Sequence, residues 1–375
     1  MQVSLLTILR EWGRIGCVGF GGPPTHIALL RDLCVRRRRW LSVQDFEDAI
    51  AACNLLPGPA STQLAIYCAW RLRGRIGALA GGVAFIVPGL AAIIALAALF
   101  LAAAPPHWVL GAGAGAGSAV AAVAVRAGWS LVPASWARAA ATSRLRWIAY
   151  AAAGGAAAAT VGQWLVLVLL ACGAVELVLQ GSAPKVSPLV LAATPAMGGL
   201  LALAWVAFKV GALSYGGGFV IIPLMQSDAV GHYHWMTSAQ FLNAVALGQV
   251  TPGPVVQTVA VVGYAARGLG GALLAALVAF APSFAFILVG GGRFDRVRRD
   301  ERARAFLDGA GPAAIGAIVG AAVPLARALH ESWQFAVLAG AAVALLVLRR
   351  GIVTTLLAAG AAGVAAALAG APLPH

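Results

Sequence analysis

Two short runs in this 375-residue chain place hydrogen-bonding side chains beside a helix break. The first surrounds Pro57-Gly58-Pro59 and carries Asn54, Ser61, Thr62 and Gln63. The second surrounds Pro252-Gly253-Pro254 and carries Gln249, Thr251, Gln257 and Thr258. Proline removes a helical N–H and pushes the residue before it out of helical conformation, so Pro-Gly-Pro ends one helix and opens another. Pro59 and Pro254 suit the first turn of the new helix, where a missing N–H does no harm. The N–H groups of that turn point back toward the break and carry partial positive charge, which favours an anion. The competing, purely structural reading is that the polar side chains satisfy the interrupted backbone.

A second constellation also occurs twice. "RIGCVGFGG" begins at Arg14 and "KVGALSYGG" at Lys209. Each sets one cation in an otherwise apolar segment, shortly before Gly21-Gly22 or Gly216-Gly217, with Ser214 added in the second copy. A cation within a membrane segment is costly and marks a functional position by default. Paired glycines allow close backbone approach to a bound oxyanion. The structural alternatives are snorkelling of the cation to the interface and tight helix packing through small residues. Carboxylates are scarce in the apolar segments, which argues against a cation carrier. Glu176 is the main one, read as interfacial rather than as a proton relay.

His26 is read as making a local polar contact. His232 and His234 lack a third ligand, the five cysteines form no metal-type spacing, and there is no P-loop. No metal or other cofactor is expected.

The elements that must position these groups are membrane helices. Hydrophobic residues make up 61% of the chain and charged residues 10%, against about 25% charged in a soluble domain. No cleavable signal peptide is evident at the N-terminus. Laid on itself, the sequence repeats: Gly21-Gly22 falls on Gly216-Gly217, Trp40 on Trp235, and Pro57-Gly58-Pro59 on Pro252-Gly253-Pro254. After a one-residue slip, Arg73-Gly74 falls on Arg267-Gly268 and Pro88 on Pro282. The expected organisation is one repeat over 1–180, a linker over 181–188 and a second repeat over 189–375.

Arg36–Arg39 in the first copy becomes "GHYH" in the second, so the two loops are expected on opposite membrane faces. The fold class expected is an all-α polytopic membrane protein. It has two inverted-topology repeats, about ten transmembrane helices, and two re-entrant helical hairpins broken at Pro-Gly-Pro. Under that threading 20 Lys/Arg fall in cytoplasmic loops (20 of the 26) and two outside, Arg267 and Arg327. This accounts for most of the net charge of +14 without a nucleic-acid partner. The lipid bilayer is the expected surroundings, and a homodimer is compatible with this reading.

The runs "GFGGPPTHIALL", "RRRRWLS", "CNLLPGPASTQLAI", "SYGGGFVIIPLMQ" and "WMTSAQFLNAVALGQVTPGPVVQTV" resemble the chromate ion transporter family in its long two-domain form. The resemblance implies a multi-pass carrier of the bacterial inner membrane that exports chromate and confers chromate resistance, with two homologous halves of opposite orientation. Gly19 departs from it, where the family more often has serine; Ser214 keeps that serine in copy two. Chromate is a tetrahedral dianion, and burying it requires cations and several N–H or O–H donors. The substrate-binding set expected is Arg14, Gly21, Gly22, Asn54, Gly58, Ser61, Thr62, Gln63, Lys209, Ser214, Gly216, Gly217, Gln249, Thr251, Gly253, Gln257 and Thr258. Two other readings stay open: a carrier of sulfate or another oxyanion, and a membrane-embedded enzyme acting on lipid phosphates. The second lacks a His, Asp or Glu at either break. The chain is therefore expected not to be an enzyme.

Overall fold

The computed structural model describes residues 3–56, 58–139, 143–160, 162–181, 198–214, 219–290 and 300–374, and among these every regular element is a helix. The first half contains α1 (Leu5–Val18), α2 (Pro23–Arg31), α3 (Val43–Leu55), α4 (Ala60–Phe100), α5 (His107–Ser118), α6 (Val120–Ala139), α7 (Arg144–Thr160) and α8 (Leu165–Leu179). The second contains α9 (Gly199–Leu213), α10 (Ile221–Gln226), α11 (Ser238–Val250), α12 (Thr258–Gly290), α13 (Glu301–Gly320), α14 (Ala322–Arg327), α15 (Ser332–Ala342) and α16 (Ile352–Leu368). Among the described residues, four stretches are long and apolar enough to cross a membrane: Ala60–Phe100, His107–Ala139, Val255–Gly290 and Glu301–Arg327. Leu165–Leu179, Gly199–Leu213, Ser332–Val347 and Ile352–Leu368 are shorter apolar helices.

The first break forms a hairpin. Ser42 caps α3 by accepting the Asp45 N–H at 3.0 Å. Arg71, far along α4, reaches the same Asp45 at 3.4 Å. The start of α3 therefore lies beside the outgoing end of the first α4 stretch. That stretch ends at a sharp break, with Arg73 at φ −149°, ψ 28° and Gly74 at φ 59°, ψ −149°. From Ala60 to the break it rises about 20 Å at ~1.5 Å per residue. This is short of the ~30 Å hydrocarbon core. α12 breaks at the aligned pair, Arg267 (φ −152°, ψ 32°) and Gly268 (φ 58°, ψ −151°).

Other local features recur at the same spacing. Asp32–Arg37 and Ser227–His232 each widen into a π-helical turn. Each is closed by a left-handed residue, Arg39 (φ 50°) or His234 (φ 52°). The following tryptophan N–H then bonds back, Trp40 to the Cys34 carbonyl and Trp235 to the Ala229 carbonyl, both at 2.8 Å. Gly16 packs on the Phe85 carbonyl and Gly211 on the Ala279 carbonyl, so closely that a Cβ at either would overlap it.

The helices form two compact units, one of residues 1–98, 203–218 and 247–299, the other of 99–202, 219–246 and 300–375. Each draws on both halves of the sequence. In the second unit, helices meet through small residues, as membrane helices do. Gly154 of α7 sits on the Ala313 carbonyl of α13, Gly309 of α13 on the Cys172 carbonyl of α8, and Gly363 of α16 on the Gly111 carbonyl of α5. Glu176, expected to be interfacial, is packed inside the protein and 1% exposed. It pairs with Arg146 at 3.1 Å and accepts from Tyr150 Oη and Gln180 Nε2, each at 2.9 Å. Two of these partners come from the first turns of α7, so nothing adjacent to Glu176 in sequence announces them.

Candidate oxyanion site

Every described member of the expected binding set belongs to the first unit. Gly216 and Gly217 lie outside the described residues.

At the first tip, Pro59 is one residue ahead of the helix. Its carbonyl accepts the N–H groups of Thr62 (2.9 Å) and Gln63 (3.0 Å), so it caps α4 rather than occupying the first turn. At the second tip, Pro254 is extended (φ −68°, ψ 135°) and caps a single 3₁₀ turn, Val255–Gln257, that leads into α12. A cap suits proline because its extended ψ sends the chain into the helix and its carbonyl opens the ladder. Ser61, Thr62, Gln63, Gln257 and Thr258 are all at most 1% exposed.

Gly58 is buried at φ +119°, a conformation L side chains rarely adopt. A Cβ on it would stand 2.6 Å from Gln63 Nε2, 3.3 Å from Ser283 Oγ and 3.5 Å from the Gly211 carbonyl. The first tip is therefore lined by side chains of its own helix, by α9 and by α12. The second tip is lined from the first repeat. Gln257 Nε2 donates to the Ile86 carbonyl at 2.9 Å. Gly89 lies so close to the Pro252 carbonyl that a Cβ would overlap it. The Gly253 N–H donates to the Gly19 carbonyl at 3.0 Å. Gly22 (φ +76°) approaches Val255, and Gly21 (φ +97°) faces Thr25.

His26 joins the first glycine break to the first tip. It is fully buried, with Nε2 2.9 Å from the Gly19 carbonyl and Nδ1 3.2 Å from Ser61 Oγ. A carbonyl only accepts, so Nε2 carries the hydrogen, and in the neutral ring Ser61 donates to Nδ1. The Gly19 carbonyl thus receives both His26 and Gly253. The contact with Gly19 is the local one expected for His26; the contact with Ser61 spans 35 residues and was not expected.

The rest of the expected set divides. Lys209 is buried (7% exposed) on α9, and Ser214 is fully buried just after that helix. Gln249 and Thr251 are buried beside the second tip. Thr251 Oγ1 bonds back to the Leu247 carbonyl at 2.8 Å, and Thr258 Oγ1 to that of Val255 at 2.8 Å, so both serve the local backbone. Asn54 is exposed in the last turn of α3. Arg14 is not brought to either tip. Its side chain is 48% exposed and ion-paired to Glu11 at 3.5 Å. The residue aligned with Glu11 in copy two is the buried Val206, so the aligned cations meet different surroundings.

Several buried polar atoms of the first unit, most of them on or beside the tips, have no hydrogen-bond partner among the described residues. They are Thr62 Oγ1, Ser214 Oγ, Gln249 Nε2, Gln257 Oε1 and Ser283 Oγ. Four of these five can donate. A buried polar group left unmatched costs roughly 1–3 kcal/mol. Such groups are rare in a native interior and call for an explanation. Ser283 is absent from the expected set. It follows Pro282, and its aligned residue in copy one is Gly89, so neither repetition nor a polar neighbour marks it.

A comparison with known proteins bears on this arrangement. The family model described as chromate transporter matches residues 6–177 and 201–364. A chromate transport protein of Cupriavidus metallidurans is 32% identical over 96% of this chain and 92% of its own length. A chromate transport protein of Pseudomonas aeruginosa is 31% identical over 88% of this chain and 83% of its own. A probable chromate transport protein of Synechococcus elongatus is 28% identical, covering 88% and 86%. No solved structure matches significantly. With its long apolar helices and a family match over both halves, this multi-pass membrane protein belongs to the chromate transporter family.

Proposed function

We propose that this chain exports chromate across the bacterial inner membrane by alternating access, with the dianion held at the two Pro-Gly-Pro tips. The observation that carries the reading is the set of buried, unmatched donors: Thr62, Ser214 and Ser283 hydroxyls and the Gln249 amide. A tetrahedral oxyanion accepts on every face and donates nothing, so it complements such a set. The capped starts of α4 and α12 add partial positive charge, and Lys209 is buried in the same unit. Two buried breaks within one compact unit suit a secondary transporter built on inverted repeats, where irregular backbone lines the substrate site. The 20-to-2 division of Lys and Arg supports opposite orientation of the repeats.

The test is flux of chromate and of sulfate in liposomes containing the purified chain, with pH gradients imposed in each direction. Saturable chromate movement supports the reading. Saturable sulfate movement that chromate neither shares nor inhibits would replace chromate by sulfate as the substrate. Absence of movement of either anion, from protein shown to be folded, would remove the oxyanion reading.

A further inference from the structure

A second anion site stands apart from the tips, on the surface of the first unit. Arg10 and Arg14 of α1 and Arg37 and Arg38 after α2 line a cavity of about 390 Å³ together with Glu11, Leu6 and Thr7. Glu11 anchors one side. Its carboxylate, 11% exposed, holds Arg38 at 2.8 Å and Arg14 at 3.5 Å. Arg38 also lies over the Trp40 ring at 5.7 Å, and Trp40 stacks on the fully buried Trp12 at 6.4 Å. Two guanidinium groups are thereby fixed on a rigid base. Arg10 and Arg37 have no acidic partner within 4.0 Å among the described residues. Four guanidinium groups against one carboxylate leave a surplus of three positive charges around one cavity.

Converging cations repel one another, and the arrangement is relieved by an anion with several oxygens. The guanidinium fork matches phosphate oxygens in pairs. The apolar side of the cavity indicates where that phosphate comes from. Leu6, which lines it, is 75% exposed, and Leu9 on the next turn is 43% exposed. Val18 and Phe20 extend the exposed apolar surface at the far end of α1. Apolar side chains open to the outside of a membrane protein face acyl chains. We propose that this cavity binds the phosphate headgroup of an anionic phospholipid, with its acyl chains laid along α1. Basic pockets at the membrane surface recognise anionic headgroups in this way. In copy two the positions of Glu11 and Arg38 are Val206 and Tyr233, so the device belongs to the first repeat alone.

The experiment is native mass spectrometry of the intact chain, released from mild detergent after incubation with phosphatidylglycerol or phosphatidylcholine. Phosphatidylglycerol is expected to be retained and phosphatidylcholine lost. The Arg10→Gln/Arg37→Gln variant should bind phosphatidylglycerol about thirtyfold more weakly, at roughly fivefold for each cation removed near a membrane surface. Arg10→Lys/Arg37→Lys, which keeps the charges and loses the paired fork contacts, should bind between wild type and the Gln variant. Equal retention of phosphatidylcholine, or unchanged binding by the Gln variant, overturns the proposal. Displacement of phosphatidylglycerol by an equal concentration of inorganic phosphate also overturns it, because the cavity would then be a site for free oxyanions. None of these outcomes depends on whether the chain moves chromate.

Discussion

Ser283→Ala separates a ligand-binding hydroxyl from a structural one, because the two roles predict opposite signs. Ser283 is fully buried, its Oγ has no partner in the described structure, and it stands beside the first tip. Without substrate, the substitution breaks no hydrogen bond and removes a buried polar group whose desolvation costs roughly 1–3 kcal/mol. The volume change is one oxygen atom. The empty protein should therefore be as stable as wild type or more so, by up to a few kcal/mol. With substrate, the variant loses a hydrogen bond to a charged group, worth about 1.5–3 kcal/mol. At ~1.4 kcal/mol per factor of ten, that is a rise in chromate KM of roughly 10- to 150-fold. The assay pairs unfolding of the detergent-solubilised protein, with and without chromate, with chromate uptake into vesicles. Ser283→Ala should unfold at or above the wild-type temperature when empty and gain less stability from chromate. A variant that is less stable when empty and has an unchanged KM would show that the hydroxyl serves the fold, and the argument from unmatched donors would fail for this residue.

Gly58→Ala should abolish chromate transport while the protein is still inserted, because a Cβ meets Gln63 Nε2 at 2.6 Å and φ +119° disfavours L-alanine; wild-type flux at wild-type membrane levels would refute this. His26→Ala should destabilise the chain by about 2–3 kcal/mol, measured by unfolding, since it removes two buried hydrogen bonds and leaves the Gly19 carbonyl with only Gly253. Glu176→Gln should lower stability by about 1–3 kcal/mol, because it replaces the charged partner of the partly exposed Arg146 by a neutral amide; an unfolding midpoint equal to wild type would show the pair to be dispensable. Single cysteines at positions 37 and 232 of a cysteine-free background should react with an impermeant thiol reagent from opposite membrane faces, and labelling from one face would remove the inverted orientation.

The breaks and their repetition were legible because proline and glycine act locally. Pro-Gly-Pro interrupts a helix wherever it stands, and Arg73-Gly74 and Arg267-Gly268 reach nearly the same dihedral angles in two sequence contexts. Ser42, followed three residues later by Asp45, is a local signal of the same kind that marks the start of α3. What could not be read were partners brought together across long sequence distances. Ser283 faces Gly58, and Gln257 reaches the Ile86 carbonyl across 171 residues. Arg14 shows the opposite failure. Its alignment with Lys209 suggested a shared role, while a nearer fact, Glu11 one helical turn before it, decided its place.

Gly74 and Gly268 have a further consequence. A Cβ at either would meet nothing within 4 Å, so neither joint is short of room. What they demand is handedness. A φ near +59° with ψ near −149° is the mirror image of the polyproline conformation that L residues favour. L-alanine is strained there, whereas D-alanine, introduced by chemical ligation, rests in its own preferred basin. By narrowing the unfolded ensemble it should stabilise the chain by about 0.4–1 kcal/mol at each joint. Glycine at these two positions substitutes for an amino acid of the other chirality, which the ribosome does not supply.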